Sequence, residues 1–319
     1  MVRAAFEKET VQTLIVERDR LISEAKCLKT SIKLVDKEFR LKYDIFFTML
    51  DAVAINKLEA CSNNQCFYCG KIPKPNIRAG RRDSFEPVTQ EAAHVKVYKY
   101  GISCLHSWLR VFAWFCNLAY KSEVKKWAGP RNVWAPRKKV IDAALERKFN
   151  MHMNKPKQRS GDSITGNVAR DCFSRSQDFA EATGLRLDLI DNFLLILVLL
   201  NTKSAVDVDK FEKLCDETSR LIETHYGWAC ISPYVHRILE HGPAIMREFP
   251  VPLGVLSEEP SECSHKVIRK GREEHARKLS RAFNNRDMAV FVNTQSDPLL
   301  HDNAPKTKHL SEKASDYLL

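Results

Sequence analysis

The sequence predicts a mainly α protein with a small β part. Apolar residues recur at three- and four-residue steps through most of residues 103–295, while only residues 43–50 have the aromatic, β-branched texture of a strand. A length of 319 residues, 44% of them hydrophobic and 9% aromatic, suits a packed core in one large or two medium domains.

Residues 7–28 read as an amphipathic helix, with Val11, Leu14, Ile15, Ile22 and Leu28 at helical spacing. Tyr43-Asp44-Ile45-Phe46-Phe47-Thr48-Met49-Leu50 reads as a strand with Asp51 at its end. An acid there is a common place for catalysis, and its ordinary role is a turn or cap. Residues 70–87 read as loop from Gly70, Pro73, Pro75 and Gly80. Helices are predicted over residues 103–125, 136–153, 165–183, 185–202, 207–226, 233–247, 260–280 and 284–295, and residues 301–319 read as a loose polar tail. Ser257-Glu258-Glu259-Pro260-Ser261-Glu262 has the pattern of a helix start, with an acidic or Ser cap and Pro in the first turn. Glu262 then heads a basic helix, with Lys266, Arg269 or Lys270, Glu273 and Arg277 following at three- and four-residue steps. Such a carboxylate fits a divalent metal beside a phosphate backbone, or a capped surface helix with ion pairs.

Several classes are disfavoured. The first residues are charged too early for a secretory signal, and the ten cysteines form no dense framework, so reduced thiols in cytosol or nucleus are expected. The longest apolar run, residues 193–200, is far short of the ~20 residues of a membrane span, so no membrane partner is expected. Gly161-Asp162-Ser163-Ile164-Thr165-Gly166-Asn167 has phosphate-loop glycine spacing but lacks the Lys that reaches the phosphates. A net charge of +11, clustered at residues 78–82, 121–126, 137–139, 155–159 and 266–281, points to a polyanionic partner.

Two pairs carry the sharpest chemistry. Cys66-Phe67-Tyr68-Cys69 lies fifteen residues after Asp51, and His236-x4-His241 ends twenty-one residues before Glu262. Both spacings suit a tetrahedral Cys2His2 zinc site closed by distant segments, which would pin the segments carrying Asp51 and Glu262 to each other. Spacing alone leaves open that the cysteines are buried free thiols. It also demands a departure from a straight helix, because residues five apart diverge by about 140° at the ~100° step of an α-helix. Pro233 makes a helix start just upstream plausible.

In this order the pieces resemble one family. Phe47-Thr48-Met49-Leu50-Asp51, Cys66-Phe67-Tyr68-Cys69-Gly70, Tyr100-Gly101-Ile102-Ser103-Cys104-Leu105-His106, Gly166-Asn167-Val168-Ala169-Arg170 and Tyr226-Gly227-Trp228 are followed by Pro233-Tyr234-Val235-His236-Arg237-Ile238-Leu239-Glu240-His241-Gly242. Leu256 through Glu262 to Lys266, Ala276-Arg277-Lys278-Leu279-Ser280-Arg281 and Ser296-Asp297-Pro298 complete the series. Together, over about residues 40–300, they resemble the Transib transposases and the related catalytic subunit of the V(D)J recombinase.

The resemblance implies an RNase H-like (DDE) catalytic core interrupted by a helical zinc-binding insertion. Residues 1–55 would be a helix and strand remnant of that core carrying Asp51, residues 56–248 the insertion, residues 249–300 the C-terminal core helices carrying Glu262, and residues 301–319 a polar tail. Asp51 matches the second catalytic aspartate and Glu262 the catalytic glutamate, with Glu258 and Glu259 as neighbouring candidates; Cys66, Cys69, His236 and His241 match the zinc ligands. The implied chemistry is two-metal phosphoryl transfer with Mg2+ or Mn2+. DNA contacts are expected from Arg170, Lys266, Arg269, Lys270, Arg277 and Lys278, and His106 matches a histidine near the active site. A nuclear location and a homodimer are implied. The family has an earlier aspartate for which Asp19, Asp36 and Asp44 lie in the wrong context, and Gly-Lys where this chain has Ala52-Val53. The expectation is therefore the C-terminal part of such a core, catalytically incomplete by itself, with a helical zinc-stabilised interaction module as the alternative.

Overall fold

The computed structural model describes residues 10–34, 37–43, 45–47, 50, 52–73, 100–151, 164–295 and 312–319. Helix α1 (Val11–Lys26) starts where the Thr10 hydroxyl accepts the Thr13 N–H and the Thr13 side chain answers, satisfying two N–H groups that the helix start leaves open. It buries no residue fully and packs on the short α2 (Ala52–Leu58).

The β part is smaller than predicted and elsewhere. Strands β1 (Ser31–Leu34) and β2 (Lys37–Arg40) pair antiparallel from Ser31 opposite Arg40 to Leu34 opposite Lys37, the only sheet among the described residues. Residues 43, 45–47 and 50 of the predicted strand are irregular, while 44, 48, 49 and 51 lie outside the described residues. The aromatic texture has another use. Phe46 packs on Phe249 at 4.9 Å and Phe47 faces Tyr100 at 6.3 Å, so these rings join the helical body singly.

The core is a helical bundle around α3 (Cys104–Lys121), which buries Trp108, Val111, Phe112, Phe115, Leu118 and Ala119. Each such large apolar side chain contributes about 1.5–3 kcal/mol by leaving water. Around α3 lie α4 (Arg131–Phe149), α5 (Gly166–Ser174), α6 (Ser176–Thr183) and α7 (Leu187–Asn201). The single helix predicted over residues 165–183 is two, broken at Arg175. Phe173 and Phe179, six residues apart, would face different sides of one straight helix. The break puts both against Phe115, at 5.2 and 6.1 Å. Helix α8 (Val208–Tyr226) covers α7, and no helix among the described residues is long and apolar enough to cross a membrane.

Next come α9 (Pro233–His236), a π-helical turn (Arg237–His241) and α10 (Gly242–Glu248), then a 3-10 turn (Leu253–Leu256). That turn meets α7 so closely that a Cβ on Gly254 would lie 2.2 Å from the Asn201 carbonyl oxygen, which only glycine permits. Helix α11 (Glu259–Lys270) is shorter than predicted: it passes into a second π turn (Gly271–His275) and ends at extended Ala276, before α12 (Arg281–Gln295).

The last residues are not the loose tail predicted. Residues 301–311 lie outside the described residues, but α13 (Glu312–Ser315) buries Ala314 and packs on α7. The Asp207 N–H donates to the Tyr317 carbonyl at 2.7 Å, and Leu319 N–H to Ala205 at 3.1 Å. Backbone pairing to the α7–α8 connection, invisible in a polar sequence, fixes the end of the chain.

Candidate metal centre

Cys66 and Cys69 sit on a tight knuckle. The Gly70 N–H donates to the Cys66 carbonyl at 2.7 Å and the Cys66 N–H to Lys71 at 2.9 Å, with Gly70 in the left-handed region at φ 68°. The knuckle points both sulfurs to one side. Its intervening rings bind the other half of the site: Tyr68 packs on the His241 ring at 5.5 Å, and Phe67 lies 4.3 Å beneath the buried guanidinium of Arg237.

The histidines come from the α9–π-turn junction. Ser232 caps α9, accepting the Val235 N–H, and Pro233 fills the first turn. The π turn spanning Arg237–His241 then bonds i to i+5, so residues five apart fall nearly above one another. This local widening removes the ~140° divergence of a straight helix. The His236 and His241 rings lie 5.0 Å apart at 83°.

All four donor atoms lie within 4.8 Å of one another, the one such cluster of three or more metal-ligating side chains among the described residues. Edges of a zinc tetrahedron are about 3.3–3.8 Å, given bonds of ~2.0–2.3 Å. The Cys69 Sγ to His236 Nε2 distance of 3.4 Å already matches one. Burial pushes the Cys66 thiol up, whereas the hydrogen bond from Cys66, reinforced by both histidines, holds the Cys69 thiol down. Burial also lowers His241, keeping it neutral as a ligand must be. The His236 Nδ1 is buried without a hydrogen-bond partner, so the site is polar and sealed. The donor set fits a metal ion such as zinc, with four protein ligands and no position left open for chemistry.

The other predicted residues are placed unevenly. Asp51 lies outside the described residues, immediately before α2. Glu262 and Lys266 lie in α11, where the backbone alone is described. Arg170 pairs with Glu259 and lies 5.4 Å over Trp108. Arg277 forms a forked pair with Asp287, at 2.9 and 2.8 Å, and holds its carboxyl down to about 2. Arg269, Lys270 and Lys278 are exposed, with Lys270 3.8 Å from Glu274.

Sequence reasoning missed the role of Glu258. This carboxylate is only 5% exposed and sits at the N-terminus of α3. It accepts the Cys104 N–H at 3.1 Å, the Leu105 N–H at 3.0 Å and the Ser103 hydroxyl, with His106 Nδ1 at 3.5 Å. Burial alone would raise its pKa; hydrogen bonds from His106 and Ser103 outweigh that and hold it below the usual range. Glu258 was legible only as a neighbour of Glu262, since nothing local links it to residues about 155 positions earlier.

Compared with known proteins, the sequence matches no family model and no curated protein.

Proposed function

We propose that this chain is a zinc-stabilised, DNA-binding protein of the transposon-derived DDE recombinase type. The observation that carries the reading is the meeting of Cys66, Cys69, His236 and His241, whose donor atoms lie within 4.8 Å although the two pairs are separated by 167 positions. That meeting is what the resemblance to Transib-type transposases requires of these four residues. Zinc there is structural: it ties the segment following Asp51 to the segment leading to Glu262. In this reading the flanking segments that carry Asp51 and Glu262 belong to an RNase H-like core, and Asp51 and Glu262 are carboxylates for Mg2+ or Mn2+. Such ions, when bound, neutralise charge in phosphoryl transfer. DNA lies along the basic face of α11 and the segment after it, at Arg269, Lys270, Lys278 and Lys266. The protein works in the nucleus, as a homodimer.

A second reading is supported by the pairing of Arg170 with Glu259 and of Arg277 with Asp287, which leaves fewer uncommitted cations for phosphate. On that reading the chain is a helical zinc-stabilised interaction module without DNA.

The test is zinc content of the purified chain beside Cys66→Ser and His241→Ala, followed by binding to duplex DNA over a salt series. One zinc per chain, lost in both variants, with DNA affinity falling steeply as salt rises, supports the first reading. One zinc without salt-dependent DNA binding selects the second, and a folded wild type without zinc overturns both.

A further inference from the structure

The segment running from Gly101 to His106 is gripped from three directions. The Tyr68 hydroxyl, between the two candidate cysteine ligands, donates to the Gly101 carbonyl. The Tyr234 hydroxyl, two residues before His236, donates to the Ser103 carbonyl at 2.9 Å. Glu258, at the head of α11, takes the Ser103 hydroxyl and the Cys104 and Leu105 N–H groups. Both halves of the metal centre and the helix bearing Glu262 therefore meet on one stretch of backbone.

We infer that Glu258 is a positioning residue: it fastens the head of α11 to the N-terminus of α3, so that the hub held by both halves of the metal centre also sets where Glu262 lies. The functional consequence rests on the proposed role of Glu262; the fastening stands on the geometry alone.

Three features make the carboxylate specific. One oxygen accepts from Leu105 N–H and the Ser103 hydroxyl and the other from Cys104 N–H, so both must be acceptors. The donors head an eighteen-residue helix, where open N–H groups and the macrodipole favour a negative charge. Glu259, the next residue, pairs with Arg170 of α5, giving the first turn of α11 a second anchor. The neighbouring acids thus have separate structural duties, and α11 begins from a fixed point.

Glutamine at 258 keeps the shape but turns an NH2 donor onto an N–H or hydroxyl donor. The experiment is amide hydrogen exchange by mass spectrometry on the full zinc-loaded chain, wild type against Glu258→Gln and Ser103→Ala, with zinc measured on the same samples. In Glu258→Gln, protection of residues 259–270 should fall about tenfold or more, the scale of one lost charge-assisted bond. Residues 187–226 should keep wild-type protection, and zinc should remain. Ser103→Ala should move the same segment by less. Unchanged exchange in residues 259–270, or an equal rise across residues 187–226, overturns the inference. Absence of zinc in the wild type would instead strike the proposed function, and residues 259–270 in Glu258→Gln would still decide the fastening.

Discussion

Zinc binds thiolate, and a buried thiol resists ionisation, so the two cysteines share the difficulty unequally. Cys66 is wholly buried and its pKa is raised, while Cys69 is lowered by the hydrogen bond from Cys66 and by the histidines. Loss of either half of the donor set leaves sulfur or imidazole sealed without its partner. Cys66→Ser or His241→Ala should abolish zinc binding by atomic absorption. At metal levels of 100 to 1,000 times the dissociation constant, bound zinc stabilises by about 3–4 kcal/mol. The melting temperature should therefore fall by roughly 4–6 °C in calorimetry. The bundle should remain folded, because Tyr68 on His241 and Arg237 over Phe67 hold the halves without metal. These four residues were legible because donor chemistry is rare enough to pair distant segments. Glu258 was not, because a carboxylate in a Ser-Glu-Glu-Pro run reads as a local cap wherever its side chain goes.

The π turn is what makes His-x4-His a ligand pair. Deleting Leu239 would let the turn relax to α geometry with the histidines four residues apart, about 40° from each other on one helix face. Zinc should then be retained at one per chain, with helix content by circular dichroism nearly unchanged. Loss of zinc from a folded deletion variant would show that the widened turn does more than bring the two histidines onto one face. The sequence announced that a straight helix fails there, but not whether a bend, a start or a widened turn would answer. The failure at residues 43–50 has a different cause. Aromatic and β-branched runs fit any half-buried surface, and whether a partner strand exists is not a local property. The junction of α11 and α12 carries its own signature. Arg277 holds the Asp287 carboxyl at about 2. A folded-state value below the ordinary one near 3.8 means stability present above pH ~4 and lost as pH falls toward 2. An NMR titration should place Asp287 near 2 in wild type and near its ordinary value in Arg277→Ala. An unshifted wild-type carboxyl would remove this pair from the account of how α11 meets α12.

At the scale of the whole molecule, the helical class was legible from periodicity, since an apolar stripe that recurs every three to four residues must find a core. How the helices meet was legible only through the four metal ligands, and the docking of the chain end on the α7–α8 connection through nothing at all. A net charge of +11 counts cations without saying which are free. The structure divides them. Arg170 is committed to Glu259 and Arg277 to Asp287, whereas Arg269 and Lys278 are exposed and pair with no carboxylate among the described residues. A cation that neutralises a phosphate releases about 0.9 of a counterion, so its removal lowers the slope of log affinity against log salt by about one. Arg269→Ala and Lys278→Ala should each flatten that slope by about one while leaving zinc and melting temperature as in wild type. Arg170→Ala should scarcely change the slope, since Glu259 already takes its charge, but should lower stability by freeing the first turn of α11. Fluorescence anisotropy with a short duplex across a salt series measures all three. If Arg170 moves the slope and the two exposed cations do not, DNA lies on the α5 side and the ion pair with Glu259 opens to receive it. If none of the three moves it, the basic face of α11 is a solvated surface, and the helical interaction module becomes the better account of the chain.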